Sequence, residues 1–560
     1  MFNKKFQRQF ALLLVLLTVM IWLLNSSFAG NEQLYFKTDK GLYYLKQVYE
    51  TISRNYVDEV DPEGLSKSAI KGIVEELDPY TVFFEQKGSE NLQIITKGKY
   101  GGVGMEIGKR EGKITVISPI DNTPAQRAGL RAGDVITKID GESTEDMSLE
   151  TASSKLRGKV GTRVVIEIQR PGFKDPIPFT LTREEIILKD VTYADFIEPG
   201  TAFIRLTSFS DKAAKELREA VRKLQKKGTI ERVILDLRGN PGGLLNSAVE
   251  VANVFIPKGE LIVITRGTHE QENKFLTSEQ PLLPHEPLVV LVDGGSASAS
   301  EIVAGAIQDL DRGIIVGSPT FGKGLVQQVY PVDKINDVFL KITTAKYYIP
   351  SGRCIQKEDY KKNKQVFLDI DDTTQTENNA SYKTRNGRPV YGGGGIKPDI
   401  EADNGKNGHF LLALWAKGYP FRFSVEYLAS HPELKSQEQV VITDEILNDF
   451  RKFLEDQQMD FEIEGEAELK NFLKIAREEE YSDDIIDLVT VAVQKLKNEK
   501  EQQFDRHIEK IREILDMEFA EKIKGSEGRI AAGLKYDQVL ASALKVLKDS
   551  KQYNQILAVR

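Results

Sequence analysis

Ser298 and Lys323 are the residues whose types and settings could do chemistry together. Ser298 lies in Asp293-Gly294-Gly295-Ser296-Ala297-Ser298-Ala299-Ser300, a run of small residues that follows the apolar stretch Pro287 to Val292. After it come Ile302, Val303, Ala306, Ile307 and Leu310 at helical steps. That pattern predicts a buried strand, a tight turn and a helix. A hydroxyl on such a turn sits at a helix N-terminus, where free backbone N–H groups can receive a developing oxyanion. The hydroxyl needs a base, and none of the five histidines (His269, His285, His409, His431, His507) lies in a comparable turn. Lys323 does, in Thr320-Phe321-Gly322-Lys323-Gly324. A lysine serves as a base when burial lowers its pKa from about 10.4. Ser296 and Ser300 alternate with Ser298, and residue types alone do not choose among the three.

A second loop, Arg238-Gly239-Asn240-Pro241-Gly242-Gly243, ends a strand and starts a helix. Its glycines permit positive φ and close backbone approach, so N–H groups can point into a cleft.

Taken together, GSASASEIVAGAIQD followed by TFGKGLVQ resembles the carboxy-terminal processing (tail-specific) peptidases of family S41, serine proteases with a Ser-Lys dyad. The resemblance puts Ser298 and Lys323 on the family's two catalytic positions. It also matches Gln327, read as one helical turn past the lysine, to the residue that orients the lysine. In the family the glycine loop supplies one side of the oxyanion hole, which implicates Gly242 or Gly243 together with the Ala299 N–H. The lead-in Leu77-Asp78-Pro79-Tyr80, the phrase Tyr348-Ile349-Pro350-Ser351-Gly352-Arg353 and the closing Gly395-Ile396-Lys397-Pro398-Asp399 are similar to the family as well.

The elements that must position these residues follow from the rest of the chain. From Gly200 onward strands and helices alternate: Ala202 to Leu206, Lys212 to Lys227, Val233 to Leu237, Asn246 to Phe255, Leu261 to Thr265. This predicts a layered α/β core, which the resemblance relates to the ClpP and crotonase fold. Between about Tyr100 and Arg183 short strands and glycine turns surround AGLRAGDVITKIDG, and this stretch resembles a PDZ domain. Such a module adds a peptide as an extra strand and captures its terminal carboxylate on backbone N–H groups. By that analogy Gly102, Val103, Gly104 and Met105 bind the peptide, and apolar last residues are favoured. Arg157, ending the module's helix, reads as a solvated cation or as a contact to the protease core.

The fold class expected is α/β multidomain, a protease core with an inserted PDZ domain and helical N- and C-terminal regions. The divisions are 1–29 signal peptide or anchor, 30–88 N-terminal helices, 89–184 PDZ domain, 185–402 protease core with a polar insertion at 357–390, and 403–560 a charged helical region. Lys4, Lys5 and Arg8 precede an apolar run from Phe10 to Leu24, with small residues at Ser27 and Ala29. That reads as a secretory signal, with an uncleaved membrane tether through residues 10–24 as the alternative. The single Cys354 excludes an internal disulfide and suits an exported, periplasmic or cell-envelope protein rather than a stapled secreted module. A net charge of −8 gives no support to nucleic-acid binding. The acidic Asp369, Asp371 and Asp372 have no further ligand pattern around them, so no metal and no cofactor are expected.

The partners expected are protein or peptide substrates with apolar C-termini, an activating adaptor lipoprotein, and a second copy in a homodimer. The amphipathic helices between Asp39 and Phe84 read equally as a hairpin packed on its own domain and as a dimerisation arm. The functional expectation is a serine endopeptidase of the bacterial envelope; the alternative is a non-catalytic PDZ scaffold that presents C-termini to another protein.

Overall fold

The computed structural model describes residues 36–269, 271–357, 380–405 and 408–558, without the side chains of 86–91. The leader with its tether at 10–24, and the acidic Asp369, Asp371 and Asp372, lie outside the described residues. The chain divides into two units, up to Phe83 and from Phe84 onward.

In the first unit, residues 36–55 are helical, and α1, Pro62–Glu75, follows. Asp61 caps α1 by accepting the Glu63 N–H at 3.0 Å, with Pro62 in the first turn where its missing N–H costs nothing. Leu42, Leu45 and Val48, the apolar stripe of the first helix, are exposed.

The second unit starts with the PDZ-like module. Its sheet runs in the order β2-β3-β4-β5-β6, where β2 is Met105–Arg110, β3 Lys113–Pro119, β4 Val135–Ile139, β5 Arg163–Gln169 and β6 Ile177–Thr182. A neck joins the module to the core: β1, Lys99–Gly102, pairs antiparallel with β7, Glu184–Ile187. Lys212 of the core clamps both strands of the neck, donating to Leu188 O at 2.9 Å and Gly98 O at 3.3 Å. Helix α2, Leu149–Leu156, is capped by Ser148, which accepts the Thr151 N–H.

The core is a six-stranded sheet ordered β8-β9-β10-β13-β14-β17: Val191–Glu198, Thr201–Leu206, Arg232–Asp236, Leu288–Val292, Ile314–Gly317 and Ile400–Glu401. Only the β8–β9 pair is antiparallel. A second sheet joins β11, Leu261–Arg266, to β12, Asn273–Leu276, and to β16, Val338–Tyr348, which also pairs with β15, Leu325–Asp333.

Both faces of the central sheet are buried, which is why its strands read as unbroken apolar runs. Ile204, Leu235, Val290 and their same-face neighbours pack with α3, Ala213–Lys227, α4, Leu245–Ala252, and α5, Ala299–Asp309. Phe203, Ile234, Val289, Leu291 and Val316 point the other way. They meet Val539, Leu540, Val546, Leu547 and Tyr553 of two helices at the far end of the chain. Each such aliphatic side chain contributes about 2 kcal/mol by leaving water.

The region from 403 onward, whose role the sequence left open, therefore has two parts. Helices α6, Tyr419–Ser430, α7, Asp444–Asp456, and α8, Ile508–Gly533, build a core of their own. Helices α9, Gln538–Lys548, and α10, Ser550–Leu557, close the second face of the protease sheet. Helix α6 also touches the PDZ-like module: Arg422 pairs with Glu111, and the Arg110 guanidinium lies 5.9 Å from the Phe421 ring centre.

Candidate active site

Strand β13 delivers the chain into the turn that carries Ser298, and α5 leaves it. Asp293 shapes the turn by accepting the Gly295 N–H at 2.9 Å and the Gly239 N–H at 2.8 Å, so the serine turn and the glycine loop share one carboxylate. The three serines separate clearly. Ser296 is buried and donates to Leu237 O at 2.8 Å; Ser300 is buried and donates to Asn240 O at 2.9 Å. Ser298 is partly exposed, and it pairs with Glu301 as a capping box at the start of α5. Its φ of 54° with ψ of −110° is a conformation that costs an L-residue on the order of 1–3 kcal/mol and clusters at functional sites. Two serines hold the turn, and the third is presented.

The residue that organises the site was not singled out from sequence: it is Glu301, fully buried on α5. Its Oε2 accepts the Ser298 N–H at 2.7 Å and the Lys323 N–H at 3.0 Å. Its Oε1 accepts the Thr320 hydroxyl at 2.6 Å and the Gly322 N–H at 2.7 Å. One carboxylate oxygen thus gathers the backbones of both residues expected to react. Burial pushes the Glu301 carboxyl up to about 7, against the pull of these four donors. The signal was present as Ser298-Ala299-Ser300-Glu301, the Ser-x-x-Glu spacing that precedes a helix.

Asn240 ties the glycine loop to the same turn. Its backbone oxygen accepts the Ala297 N–H at 3.0 Å as well as the Ser300 hydroxyl, its Nδ2 donates to Leu206 O at 2.8 Å, and its Oδ1 accepts the Gly242 N–H at 2.9 Å. Gly242 has φ +97°, and a Cβ there would stand 2.7 Å from Ala297 O and 2.9 Å from both Ala299 N and Ser298 Cβ. Gly242→Ala is therefore expected to push the loop off the serine turn and lower kcat about 100-fold, since a displacement near 1 Å costs that much. Steady-state kinetics beside a thermal melt check this; an unchanged kcat would show that the close approach is unimportant.

Lys323 is partly buried, in a loop held on both sides by backbone bonds: Gly324 N–H to Gln356 Oε1 at 2.8 Å, Lys357 N–H to Gly322 O at 3.1 Å, and the Tyr347 hydroxyl to Lys323 O. Gln327 is not on a helix. It lies in β15, just after a register shift between Val326 and Gln327, with its Nε2 3.4 Å from Thr343 Oγ1 of β16. A four-residue step fits a helical turn, but Val326 and Val329 favour a strand and β16 supplies the ladder; a bulge there re-aims the side chain.

The PDZ-like residues form a separate place. Val103 and Met105 are buried in the module's own core. Gly104 has φ +76°, and a Cβ on it would strike the Thr123 side chain at 2.3 Å. Strand β2 ends the sheet order, so it offers an edge. Arg157 lies with its guanidinium 5.1 Å from the Tyr100 ring centre, on the neck.

Comparison with known proteins agrees with this layout. "Peptidase family S41" matches residues 200–371, "PDZ domain" 115–170, "Activating protease CtpB N-terminal domain" 24–88, and "Probable PDZ-protease, C-terminal helical domain" 410–547. A carboxy-terminal-processing protease of Bartonella bacilliformis is 38% identical over 341 residues, which cover 60% of this chain and 77% of that protein. The carboxy-terminal processing proteases CtpB and CtpA of Bacillus subtilis are 37% and 34% identical, covering 57% and 62% of this chain and 66% and 76% of their own lengths. The chain belongs to peptidase family S41, among its carboxy-terminal processing proteases that carry a PDZ domain.

Proposed function

We propose that the chain is a serine endopeptidase of the bacterial cell envelope that cuts with Ser298 and Lys323 and selects substrates by their free C-terminus. Lys323, in its neutral form, takes the Ser298 proton as the hydroxyl attacks a peptide carbonyl. The oxyanion forms against the N–H groups of Ala299 and Gly243. Gly242 provides the close approach, its own N–H being taken by Asn240. The lysine returns the proton to the leaving amine, and water hydrolyses the acyl-enzyme. Gln327 orients the lysine from β15. The observation that carries this reading is the single Glu301 oxygen holding the backbones of Ser298 and Lys323; a scaffold that only presented C-termini would have no use for it.

In the same reading, Gly102, Val103, Gly104 and Met105 receive an apolar C-terminus along the β2 edge, and the leader exports the chain. The test uses an unfolded protein with an apolar last residue and the same protein C-amidated. Free carboxylate is expected to raise kcat/KM about tenfold or more, because a backbone carboxylate loop gains charge-assisted bonds that an amide cannot make. Equal rates on both forms would remove the PDZ domain from substrate selection.

A further inference from the structure

The loop proposed to hold the oxyanion begins at Arg238, and the guanidinium of that residue is gripped from two directions. Asp236, fully buried at the end of β10, accepts Arg238 Nε at 2.8 Å, Nη2 at 2.9 Å and the backbone N–H at 3.0 Å. Asp537, 299 residues further along the chain, takes the other side: Nη1 to Oδ1 at 3.0 Å and Nη2 to Oδ2 at 2.6 Å. The Arg238 and Asp537 side chains are only 12% and 10% exposed, so these charge-assisted bonds are little screened. Burial pushes the Asp537 carboxyl up, but the hydrogen bonds and charge of Arg238 outweigh it and hold it below the usual range.

Asp537 cannot drift, because it also caps α9 by accepting the Leu540 N–H at 3.1 Å, and α9 is seated on the back of the sheet. Two residues after Arg238 comes Asn240, whose carbonyl and amide oxygens hold the serine turn and Gly242.

We infer that Asp537 is a positioning residue for catalysis: through Arg238 it sets the glycine loop against the Ser298 turn, so the last helices of the chain tune the protease centre from behind the sheet. This rests on the proposed oxyanion role of that loop. Asp537→Asn keeps an oxygen for the cap and removes the charge; Asp537→Glu keeps the charge. Tyr553→Phe, which cuts the hydroxyl's bonds to Leu288 N and O, controls for loosening of the same helices.

With the full chain, Asp537→Asn is expected to lower kcat about 10- to 100-fold with KM unchanged, and to speed hydrogen exchange across residues 238–244. Asp537→Glu recovers part of the loss. Tyr553→Phe lowers the melting temperature without changing kcat. Adding Asp537→Asn to Arg238→Gln makes kcat no worse, as expected for coupled residues. Parental kcat in Asp537→Asn overturns the inference. If loop exchange has nevertheless risen, the oxyanion assignment is what failed; if exchange is parental too, the brace itself is absent.

Discussion

Ser298→Ala is expected to abolish peptide hydrolysis, lowering kcat by about 10⁴-fold or more, while the protein melts as the parent does. The size follows from removing a nucleophile, since what then remains comes from the oxyanion hole and binding alone. The intact fold follows from the bonds that hold the turn without the Ser298 hydroxyl, made by Ser296, Ser300, Asp293 and Glu301. Ser298→Gly should be equally inactive yet more stable by about 1 kcal/mol, because glycine takes a φ of 54° without the cost to a side chain. Lys323→Ala should match the loss, and Lys323→Arg should not restore activity, since a guanidinium stays protonated and cannot act as base. Kinetics on an unfolded substrate with fragments read by mass check all four. Activity in Ser298→Ala, or in Lys323→Arg, would sink the dyad.

Glu301→Gln has the second largest expected effect, about 100-fold in kcat together with about 3 kcal/mol of stability. The amide keeps one accepting oxygen and turns an NH₂ toward N–H donors, leaving two of the four buried donors without an acceptor at 1–3 kcal/mol each. The pH dependence runs in opposite senses for stability and activity. With its carboxyl raised from 4.5 to about 7 in the folded protein, Glu301 favours folding when protonated. That contribution is complete below the unfolded value near 4.5 and is lost as pH rises through about 7. Activity instead needs the ionised carboxylate, which alone accepts from Ser298, Lys323, Thr320 and Gly322 together. The parent's kcat should therefore fall as pH drops through about 7, and this limb should vanish in Glu301→Gln. A pH profile with the same acid limb in both proteins would assign the titration to another group.

How much of this was readable in the sequence depends on chain distance. Ser298, its small-residue turn and α5 lie within one strand-turn-helix, so local pattern sufficed; the glycine loop and the α/β alternation were legible for the same reason. The choice among Ser296, Ser298 and Ser300 was not legible from residue types. It depends on which hydroxyl meets Leu237 O or Asn240 O across the fold. Gln327 was misplaced on a helix because a four-residue step does not reveal its partner, and only pairing with β16 makes it a strand residue.

By itself the sequence determined the residue types proposed to react, the turns that present them, the PDZ segment and the layered core, all set by backbone preference and apolar period over short stretches. Only the tertiary structure decided that one Glu301 oxygen holds the backbones of Ser298 and Lys323, and that α9 and α10 seal the sheet and bring Asp537 to Arg238. Those contacts arise from which faces stack when the sheet is covered, and a face leaves no record in sequence of what will cover it.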